Sequence, residues 1–464
     1  MLKQHLDDYI VGQETTKKII SVAVYKHQYI QQLTAIDKKY KMRLHQFNSS
    51  LLSLESYDTE LMIEEPDLEK SNILLIGPSG SGKTLIAKTL AKLLKLPITI
   101  TDCTSLTQAG YVGEDIESCI EKLLINANYD VDLCERGIVV LDEIDKLSKP
   151  SLYSGTKDIA GEGVQQGLLK LIEGSKVSVK VKDYANIKGV LNDSTNTDNS
   201  KKNGNEQNFI VDTSNILFIS MGAFIGLDKI VAQRFRSSSA IGFDDDDHNN
   251  NKIDSKKTSI VEHVVLSNGK SLSALELTSP VDLQQFGLIP ELIGRLPIIT
   301  ALNPLSVENL VEISTEPKNS IIKQYEYFFQ KMGVRLAITN KAIEKIAKIS
   351  LLNGSGARGL RSILEKILLS VNYDCPGSGI SFVLIDKQVL YNFEKNDGLI
   401  INTDHTETQI QNSISAKYYS RGDIFTFLND VGQEDEQLMK KIEQEYKIPS
   451  LTQHKKVEKI NASG

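Results

Sequence analysis

One segment of fourteen residues, 71–84, constrains the fold of this chain more than any other. A short apolar run, Ile73 to Ile76, leads into eight loop-forming residues, and a helical pattern rich in Ala, Leu and Lys follows over residues 85–94. The eight residues are Gly77-Pro78-Ser79-Gly80-Ser81-Gly82-Lys83-Thr84, and they match the phosphate-loop pattern G-x-x-x-x-G-K-[ST]. A Gly/Ser linker that matched by chance would lack the flanking strand and helix, so we predict a phosphate-binding loop in an α/β sheet.

The residue types of this loop predict how it holds a nucleotide. Its glycines let successive backbone N–H groups turn toward phosphates, and the N-terminus of the following helix adds positive partial charge. Lys83 is expected to reach the β- and γ-phosphates, and the Thr84 hydroxyl is expected to ligate Mg²⁺. All eight loop residues and the following Leu85 are therefore predicted to bind ATP.

A second apolar run, Ile138 to Leu141, ends in the acidic pair Asp142-Glu143. In doubly wound parallel sheets, acids at the tip of a buried strand lie beside the phosphate loop. We predict that Asp142 holds Mg²⁺ together with Thr84, and that Glu143 is the catalytic residue that polarises the attacking water. Taken alone, the acidic pair is equally compatible with an ordinary strand end; the phosphate loop upstream favours hydrolysis.

Composition limits the classes of function. The chain has 464 residues, of which 40% are hydrophobic, and this length predicts two or three domains. A net charge of −7 gives no overall basic surface, so we expect no nucleic-acid partner. The longest nearly apolar stretch, 216–227, is too short to span a bilayer. The four cysteines form no CxxC pair, so neither a zinc site nor a disulfide framework is expected.

Strand and helix patterns alternate through the first part of the chain, which predicts a parallel α/β sheet. Further strands are predicted at 98–101 and 215–220, and the acidic pair Glu114-Asp115 predicts the start of a helix. After about Ala301 the pattern becomes helix-rich, with helices expected over 307–332, 340–352 and 360–370 and short strands at 382–385 and 399–401. This change predicts a smaller α+β domain.

These patterns give the domain boundaries. A large ATPase domain is predicted over residues 1–303, with insertions at 32–70, 177–209 and 244–272, and a small domain over 304–402. Two Asn/Asp-rich stretches, 184–207 and 244–257, are too polar to bury a core of their own. Residues 403–464 are predicted to be a polar C-terminal extension with a helix over 423–446.

Eight ordered motifs resemble the ClpX family of AAA+ protein unfoldases over residues 2–401. Besides the phosphate loop, they are LDDYIVGQ (6–13), AGYVGED (109–115), LDEIDK (141–146), GEGVQQGLLKLIEG (161–174), GAFIGLDKI (222–230), FGLIPELIGRLP (286–297) and GARGLRS (356–362). The resemblance implies an AAA+ large domain with a parallel sheet, followed by a smaller α+β domain. It also implies that ATP binds between the domains and that six subunits form a ring, a homo-hexamer.

The resemblance assigns further site residues. Ile10 and Val11 would pack against the adenine, and Arg295 would be an arginine finger that reaches the γ-phosphate of the neighbouring subunit. Arg358 would be the sensor arginine that couples nucleotide state to rotation of the small domain. A guanidinium suits both tasks because it stabilises charge spread over phosphate oxygens. Ser220 falls near the position of a further sensor residue.

The motif Gly110 to Gly113 resembles the first pore loop of the family. Glycines allow such a loop to move, and Tyr111 and Val112 would give a sequence-tolerant grip on an extended polypeptide. Without the resemblance, Tyr111 would be interpreted as an ordinary loop tyrosine. Residues 154–161 would form a second pore loop.

The chain also departs from the family pattern. The N-terminal zinc-binding domain of the family is absent from the sequence, and residues 200–207 read SKKNGNEQ where a basic Arg-Lys-His motif is expected. Ile241, Gly242 and Phe243 match the tip that docks on a ClpP-type peptidase, yet four aspartates follow at 244–247. The insertions are more typical of a fungal mitochondrial member, so a mitochondrial matrix location is expected although no transit peptide is visible.

The favoured function is an ATP-dependent unfoldase or remodelling chaperone that uses ATP and Mg²⁺, without zinc, on protein substrates. One alternative is a regulatory ATPase that delivers substrates to a ClpP-type peptidase. A second is an HslU-like ATPase, which is disfavoured because only about fifteen residues separate Asp145 from the GEGVQQ motif. A degenerate scaffold is disfavoured because the site residues are present. Family analogy adds 5-aminolevulinate synthase as a candidate partner.

Overall fold

The structure, a computed structural model, describes residues 2–50, 70–94, 96–107, 114–148, 161–181, 207–239, 263–265, 271–396 and 416–446. Several sequence predictions concern residues outside these ranges. They are the grip residues Tyr111 and Val112, most of the second pore loop, the peptidase-docking residues Ile241, Gly242 and Phe243, and the strand at 399–401. Within the described ranges, no helix is both long enough and apolar enough to cross a membrane.

The described strands and helices alternate along the first part of the chain. The strands are β1 (Ile73–Ile76), β2 (Ile98–Asp102), β3 (Leu106–Thr107), β4 (Glu114–Asp115), β5 (Ile138–Asp142), β6 (Lys176–Val181), β7 (Gln207–Asp212), β8 (Leu217–Gly222), β9 (His263–Val265), β10 (Ser271–Ser273), β11 (Ile298–Ala301), β12 (Arg335–Ile338), β13 (Ile380–Ile385) and β14 (Lys417–Ser420). The helices are α1 (Leu2–Asp7), α2 (Glu14–Ser50), α3 (Lys83–Leu93), α4 (Ser118–Asn126), α5 (Val131–Cys134), α6 (Glu162–Glu173), α7 (Leu227–Ser239), α8 (Pro280–Phe286), α9 (Pro290–Gly294), α10 (Val307–Thr315), α11 (Ile321–Lys331), α12 (Asn340–Leu352), α13 (Ala357–Asp374), α14 (Lys387–Asn396), α15 (Ile424–Glu434) and α16 (Glu436–Tyr446).

Five parallel strands form the central sheet of the described part, in the order β11-β1-β8-β5-β2. This sheet confirms the predicted α/β class. Strand β8 lies between β1 and β5, with Ile76 in register with Gly222 and Leu141 in register with Ser220. Because all five strands are parallel, their carboxyl ends meet at one edge of the sheet. The phosphate loop and Asp142 therefore share that edge.

Apolar layers cover both faces of the sheet. Successive side chains of a strand point to opposite faces, so Leu74 and Ile76 join one buried cluster while Ile73 and Leu75 join another. The first cluster includes residues of α4, α6 and α7, and the second includes residues of α1, α2 and α3. Burial on both faces explains why β1 is a continuous apolar run.

A second sheet organises the C-terminal part of the described chain. Strand β12 pairs parallel with β13, and β13 pairs antiparallel with β14. Helices α10 to α13 build a core on one side, while α15 and α16 pack against Phe382 and Leu384 on the other. Residues 417–446, which we predicted to lie in a polar extension, thus add a strand and two helices to this sheet.

Three sequence predictions differ from the structure. Glu114 and Asp115 do not open a helix but form a short strand paired with Leu106 and Thr107, and α4 begins only at Ser118. The helix expected over 307–332 is divided into α10 and α11 around Pro317, because proline lacks an N–H and disfavours helix in the residue before it. The helix expected over 423–446 is divided at Asp435, whose carboxylate accepts from Leu438 N at 3.0 Å.

Phe427 tests whether the C-terminal segment stabilises the second sheet. This side chain is buried and stacks on Phe382 with ring centroids 4.9 Å apart. We expect Phe427→Ala to lower the free energy of unfolding of this domain by about 3–5 kcal/mol, because it leaves a cavity in the core. Thermal or urea unfolding measures the change. Leu369→Ala, at a side chain that is 70% exposed, is the control and should change stability little; equal effects would show that residues 417–446 contribute no core.

Candidate nucleotide-binding site

Two glycines set the shape of the phosphate loop. Gly80 and Gly82 have φ values of 76° and 102°, a region of backbone conformation that favours glycine. Gly82 immediately precedes α3, and Ser81 Oγ closes the loop by donating to Pro78 O at 2.8 Å. The first N–H groups of α3 have no partner within the helix, so they are available to an anion. The loop is therefore built as a cradle for phosphate.

Lys83 is folded against the loop that carries it. Its ammonium donates to Gly77 O at 2.5 Å and to Pro78 O at 3.0 Å. Burial lowers the pKa of Lys83 to about 8; the nearby carboxylates of Asp142 and Asp145 oppose this shift, and the positive charge of Arg358 adds to it. The half-buried cation is held by carbonyl dipoles and lies among the acids of the site.

The two acids at the end of β5 take different orientations. Asp142 accepts from the Thr84 hydroxyl at 3.0 Å through Oδ2 and from Glu143 N at 3.0 Å through Oδ1. Glu143 lies in the left-handed region, with φ 58° and ψ 35°, and its side chain is exposed. A non-glycine residue in this conformation costs of the order of 1–3 kcal/mol and is typical of active sites. The hydroxyl and carboxylate oxygens of Thr84 and Asp142 are the ligand types that Mg²⁺ prefers.

Asp145 was not identified from the sequence as a site residue. Its buried carboxylate accepts from Ala223 N at 3.1 Å, immediately after β8, and Gly77 N donates to Gly222 O at 3.3 Å. Asp145 therefore links the acidic segment to the strand that also holds the phosphate loop. The sequence signal that could have identified Asp145 is its position as the third acid of the LDEID motif. Ser220 is buried within β8, and its hydroxyl has no hydrogen-bond partner among the described residues.

The segment proposed to contact the base lies between α1 and α2. Ile10 is 5% exposed and Val11 is half-buried. Lys17, which the sequence analysis also missed, is fully buried beneath them; it donates to Ile10 O at 3.3 Å and forms ion pairs with Asp7 and with Glu14. The buried ammonium thus fixes the backbone on which Ile10 and Val11 are presented.

The second sheet and its helices, residues 307–396 and 416–446, are called the small domain from here on, and this part of the chain contacts the phosphate loop directly. A Cβ atom on Gly80 would lie 2.8 Å from Ser355 O, and one on Gly356 would lie 3.4 Å from Ser79 O. Arg358 follows in the first turn of α13, close enough for its charge to lower the Lys83 pKa. The structure therefore brings Arg358 to the same site as Lys83, Asp142 and Glu143.

Arg295 lies at the opposite edge of the sheet. Its backbone carbonyl accepts from Asn72 Nδ2 at 3.0 Å, and Asn72 immediately precedes β1. The four residues of β1 separate this edge from the phosphate loop by roughly 13 Å at 3.3 Å per residue. The Arg295 side chain is 52% exposed, with Nε 3.0 Å from Glu173 Oε1. The structure does not bring Arg295 to the phosphate loop of its own chain.

Comparisons with known proteins extend these observations. Residues 68–299 match the family model of the AAA domain, Cdc48 subfamily. A mitochondrial ATP-dependent clpX-like chaperone of Saccharomyces cerevisiae is 46% identical over 481 residues, covering 96% of this chain and 89% of that protein. The ATP-binding subunit ClpX of the ATP-dependent Clp protease from Treponema denticola is 42% identical over 394 residues, covering 84% of this chain and 80% of that subunit. The similarity therefore reaches far beyond the nucleotide motifs.

The pKa of Lys83 predicts how nucleotide affinity depends on pH. The ligand-free ammonium loses its proton as pH rises through about 8, and only the charged form attracts phosphate. At one pH unit above the pKa, about a tenth of the sites remain charged, so the apparent Kd for ATP should rise about tenfold. Equilibrium binding of a fluorescent ATP analogue between about pH 7.5 and 9.5 measures this change.

Lys83→Arg is the matched control for the pH dependence, because a guanidinium stays charged over this range. Its affinity for the analogue is expected to be weaker but nearly constant with pH. Parallel pH dependences in the wild type and Lys83→Arg would contradict the assignment of the transition to Lys83.

Proposed function

Since this chain belongs to the ClpX family of AAA ATPases, we propose that it couples ATP hydrolysis to the unfolding of protein substrates by threading them through the pore of a homo-hexamer. The family confirms the predicted class of enzyme, an ATP-dependent chaperone of the ClpX type. The observation that carries the proposal is the convergence of Lys83, Thr84, Asp142 and Glu143 at one sheet edge, where the small domain also supplies Arg358.

The roles of these residues follow from their positions. The N–H groups of the phosphate loop and Lys83 would bind and orient the triphosphate, while Ile10 and Val11 would pack against the base. Thr84 and Asp142 would hold Mg²⁺, which supplies charge neutralisation between the phosphates when bound. Glu143, held beside Asp142 but exposed, would orient the attacking water and take up its proton. Arg358 would stabilise charge on the γ-phosphate from the small domain.

The position of Arg295 supports an assembly in which it acts on a neighbouring subunit. An exposed guanidinium at the sheet edge opposite the phosphate loop cannot serve the site of its own chain, yet it can project from the subunit surface. Such an arrangement is a heterologous contact, and a rotation of one sixth of a turn between neighbours would close it into a six-membered ring. We propose the hexamer on this geometry and on the family pattern.

The proposal also covers the substrate, the partner and the cellular location of the protein. The pore-loop motif with Tyr111 and Val112 supports a protein substrate. The docking motif with Ile241 and Phe243 supports a peptidase as a possible partner. The similarity to a mitochondrial clpX-like chaperone supports a mitochondrial location, specifically the matrix. We favour action as a stand-alone remodelling chaperone, with a ClpP-type peptidase as the alternative partner; 5-aminolevulinate synthase is a candidate substrate by family analogy.

Two inactive variants test the catalytic assignments and the ring together. Glu143→Gln keeps the size of the side chain but removes the carboxylate, so kcat should fall on the order of 10²-fold or more while ATP still binds. Arg295→Ala should lose turnover in the same way. In a 1:1 mixture, about a quarter of the sites combine an intact Glu143 with an intact Arg295 from the neighbour, so activity should partly return. A mixture as inactive as its components would contradict action between subunits.

Tyr111→Ala tests the grip on substrate. The change shortens the aromatic lever without touching the nucleotide site, so ATP turnover should persist while unfolding of a stably folded, tagged protein falls sharply. Phe243→Ala is the matched comparison outside the pore, and it should unfold the same substrate at the wild-type rate. Both variants are also assayed with a ClpP-type peptidase present. Equal loss of turnover and unfolding in Tyr111→Ala would contradict threading, and degradation that disappears in Phe243→Ala would favour the peptidase partner.

A further inference from the structure

Gln13 joins the proposed base-binding segment to the connection between the two domains. Its amide Nε2 donates to Asn303 O at 2.8 Å, and its Oε1 accepts from Asn303 N at 2.9 Å. Asn303 lies between β11, the edge strand of the large sheet, and α10, the first helix of the small domain. A primary amide is the side-chain group that can donate to and accept from one backbone residue at once. Gln13 therefore holds the interdomain connection in a defined orientation.

The backbone of Gln13 is strained to reach this position. Gly12 and Gln13 both lie in the left-handed region, with φ values of 65° and 55°. Gln13 O accepts from Lys17 N at 2.9 Å, so the residue sits at the start of α2, where short polar side chains usually cap the helix. Here the side chain reaches across to Asn303 instead. A conformation of this kind persists where its surroundings hold it, and it is typical of functional sites.

The other end of the segment is attached to the small domain. Asp8 O accepts from Lys318 N at 3.2 Å, and Asp8 Oδ2 lies 2.6 Å from Lys318 Nζ. Lys318 belongs to the turn between α10 and α11. Both side chains are partly exposed, so the ion pair itself is weak. The hydrogen bond from Lys318 N to Asp8 O nevertheless fixes how the segment is oriented against this turn.

The middle of the segment is fixed to the large domain. Lys17 holds Ile10 from below, and the Thr16 hydroxyl donates to Ala301 O at 2.9 Å. A base that packs on Ile10 and Val11 would therefore press on a segment whose middle is bonded to the large domain. The two ends of the segment are bonded to the interdomain connection and to the small domain.

We infer that Gln13 is a positioning residue that couples occupancy of the base pocket to the orientation of the small domain. The inference rests on the proposed contact of Ile10 and Val11 with adenine. On this inference, the two parts of ATP act on the small domain by different routes. The phosphates act through the phosphate loop and Arg358, and the base acts through Gln13 and Asn303. Inorganic tripolyphosphate, which fills only the phosphate loop, should then produce a smaller rotation than ATP.

The experiment measures the distance between the domains. Spin labels are placed on Lys88→Cys in α3 and Lys341→Cys in α12, both at exposed positions, while the four native cysteines are buried. Labelled chains are diluted into unlabelled ones so that each pair reports one subunit. Electron–electron distances are recorded without nucleotide, with ATP and with tripolyphosphate, in the Glu143→Gln background to prevent turnover.

In the Gln13→Ala variant, the distance with ATP should equal the distance with tripolyphosphate. Turnover, measured without the Glu143 change, should show kcat lower by about tenfold, because closure of the small domain on the site is lost. KM for ATP should stay within about threefold, because the lost interaction affects domain closure more than ground-state binding. Gln324→Ala is the matched control; it removes a glutamine amide that also donates to a backbone carbonyl, Asn319 O at 2.9 Å, but within the small domain, and it should keep the wild-type response to ATP.

Gln13→Glu guards against a folding defect in the first variant. It keeps the acceptor for Asn303 N but places a carboxylate against Asn303 O, so the same loss of response is expected. A full ATP response in either folded variant would overturn the inference, as would equal responses of the wild type to ATP and tripolyphosphate. A wild-type protein that responds to ATP without hydrolysing it would instead contradict the proposed function.

Discussion

The nucleotide site depends on the pairing of β1 with β8 on one side and with β11 on the other. Because the three strands are parallel, the phosphate loop, the end of β8 and the start of the interdomain connection all emerge at one edge. Gly77 N donates to Gly222 O, and Leu302 N donates to Ile76 O, so the loop is bonded to both neighbours. A shift of β8 would separate the phosphate loop from the acids of β5, and a shift of β11 would separate the loop from the connection to the small domain.

The two arginines proposed to act on the γ-phosphate lie in different parts of the structure. Arg358 comes from the small domain of the same chain, next to Lys83. Arg295 lies at the far edge of the sheet, where Glu173 pairs with its Nε. In the roles proposed for them, the two arginines would make hydrolysis depend both on domain orientation within a subunit and on contact between subunits.

The parts of this architecture that could be predicted from sequence are those with a local signature. The apolar strands, the phosphate loop and Asp142-Glu143 each lie within a few consecutive residues, and the structure places them together as expected. Glu114 was wrongly predicted to start a helix because its charge suits a helix N-terminus, whereas in the structure its backbone pairs with Leu106 in a short ladder and the helix begins four residues later. Gln13 could not be found because its partner, Asn303, lies 290 residues away in the sequence. The partners of Lys17 are local, but its full burial is set by tertiary packing that no short pattern reveals.

The position of strand β14 in the sequence means that the second sheet is completed late during synthesis of the chain. It lies at the edge of a sheet whose other strands precede it by more than thirty residues, and α15 and α16, which cover one face, end at Tyr446. During synthesis from the N-terminus, the large sheet is complete once β11 has left the ribosome, whereas Phe382 and Leu384 wait for Phe427 to cover them. A growing chain therefore carries a finished phosphate loop more than a hundred residues before it carries the helices that complete the second sheet.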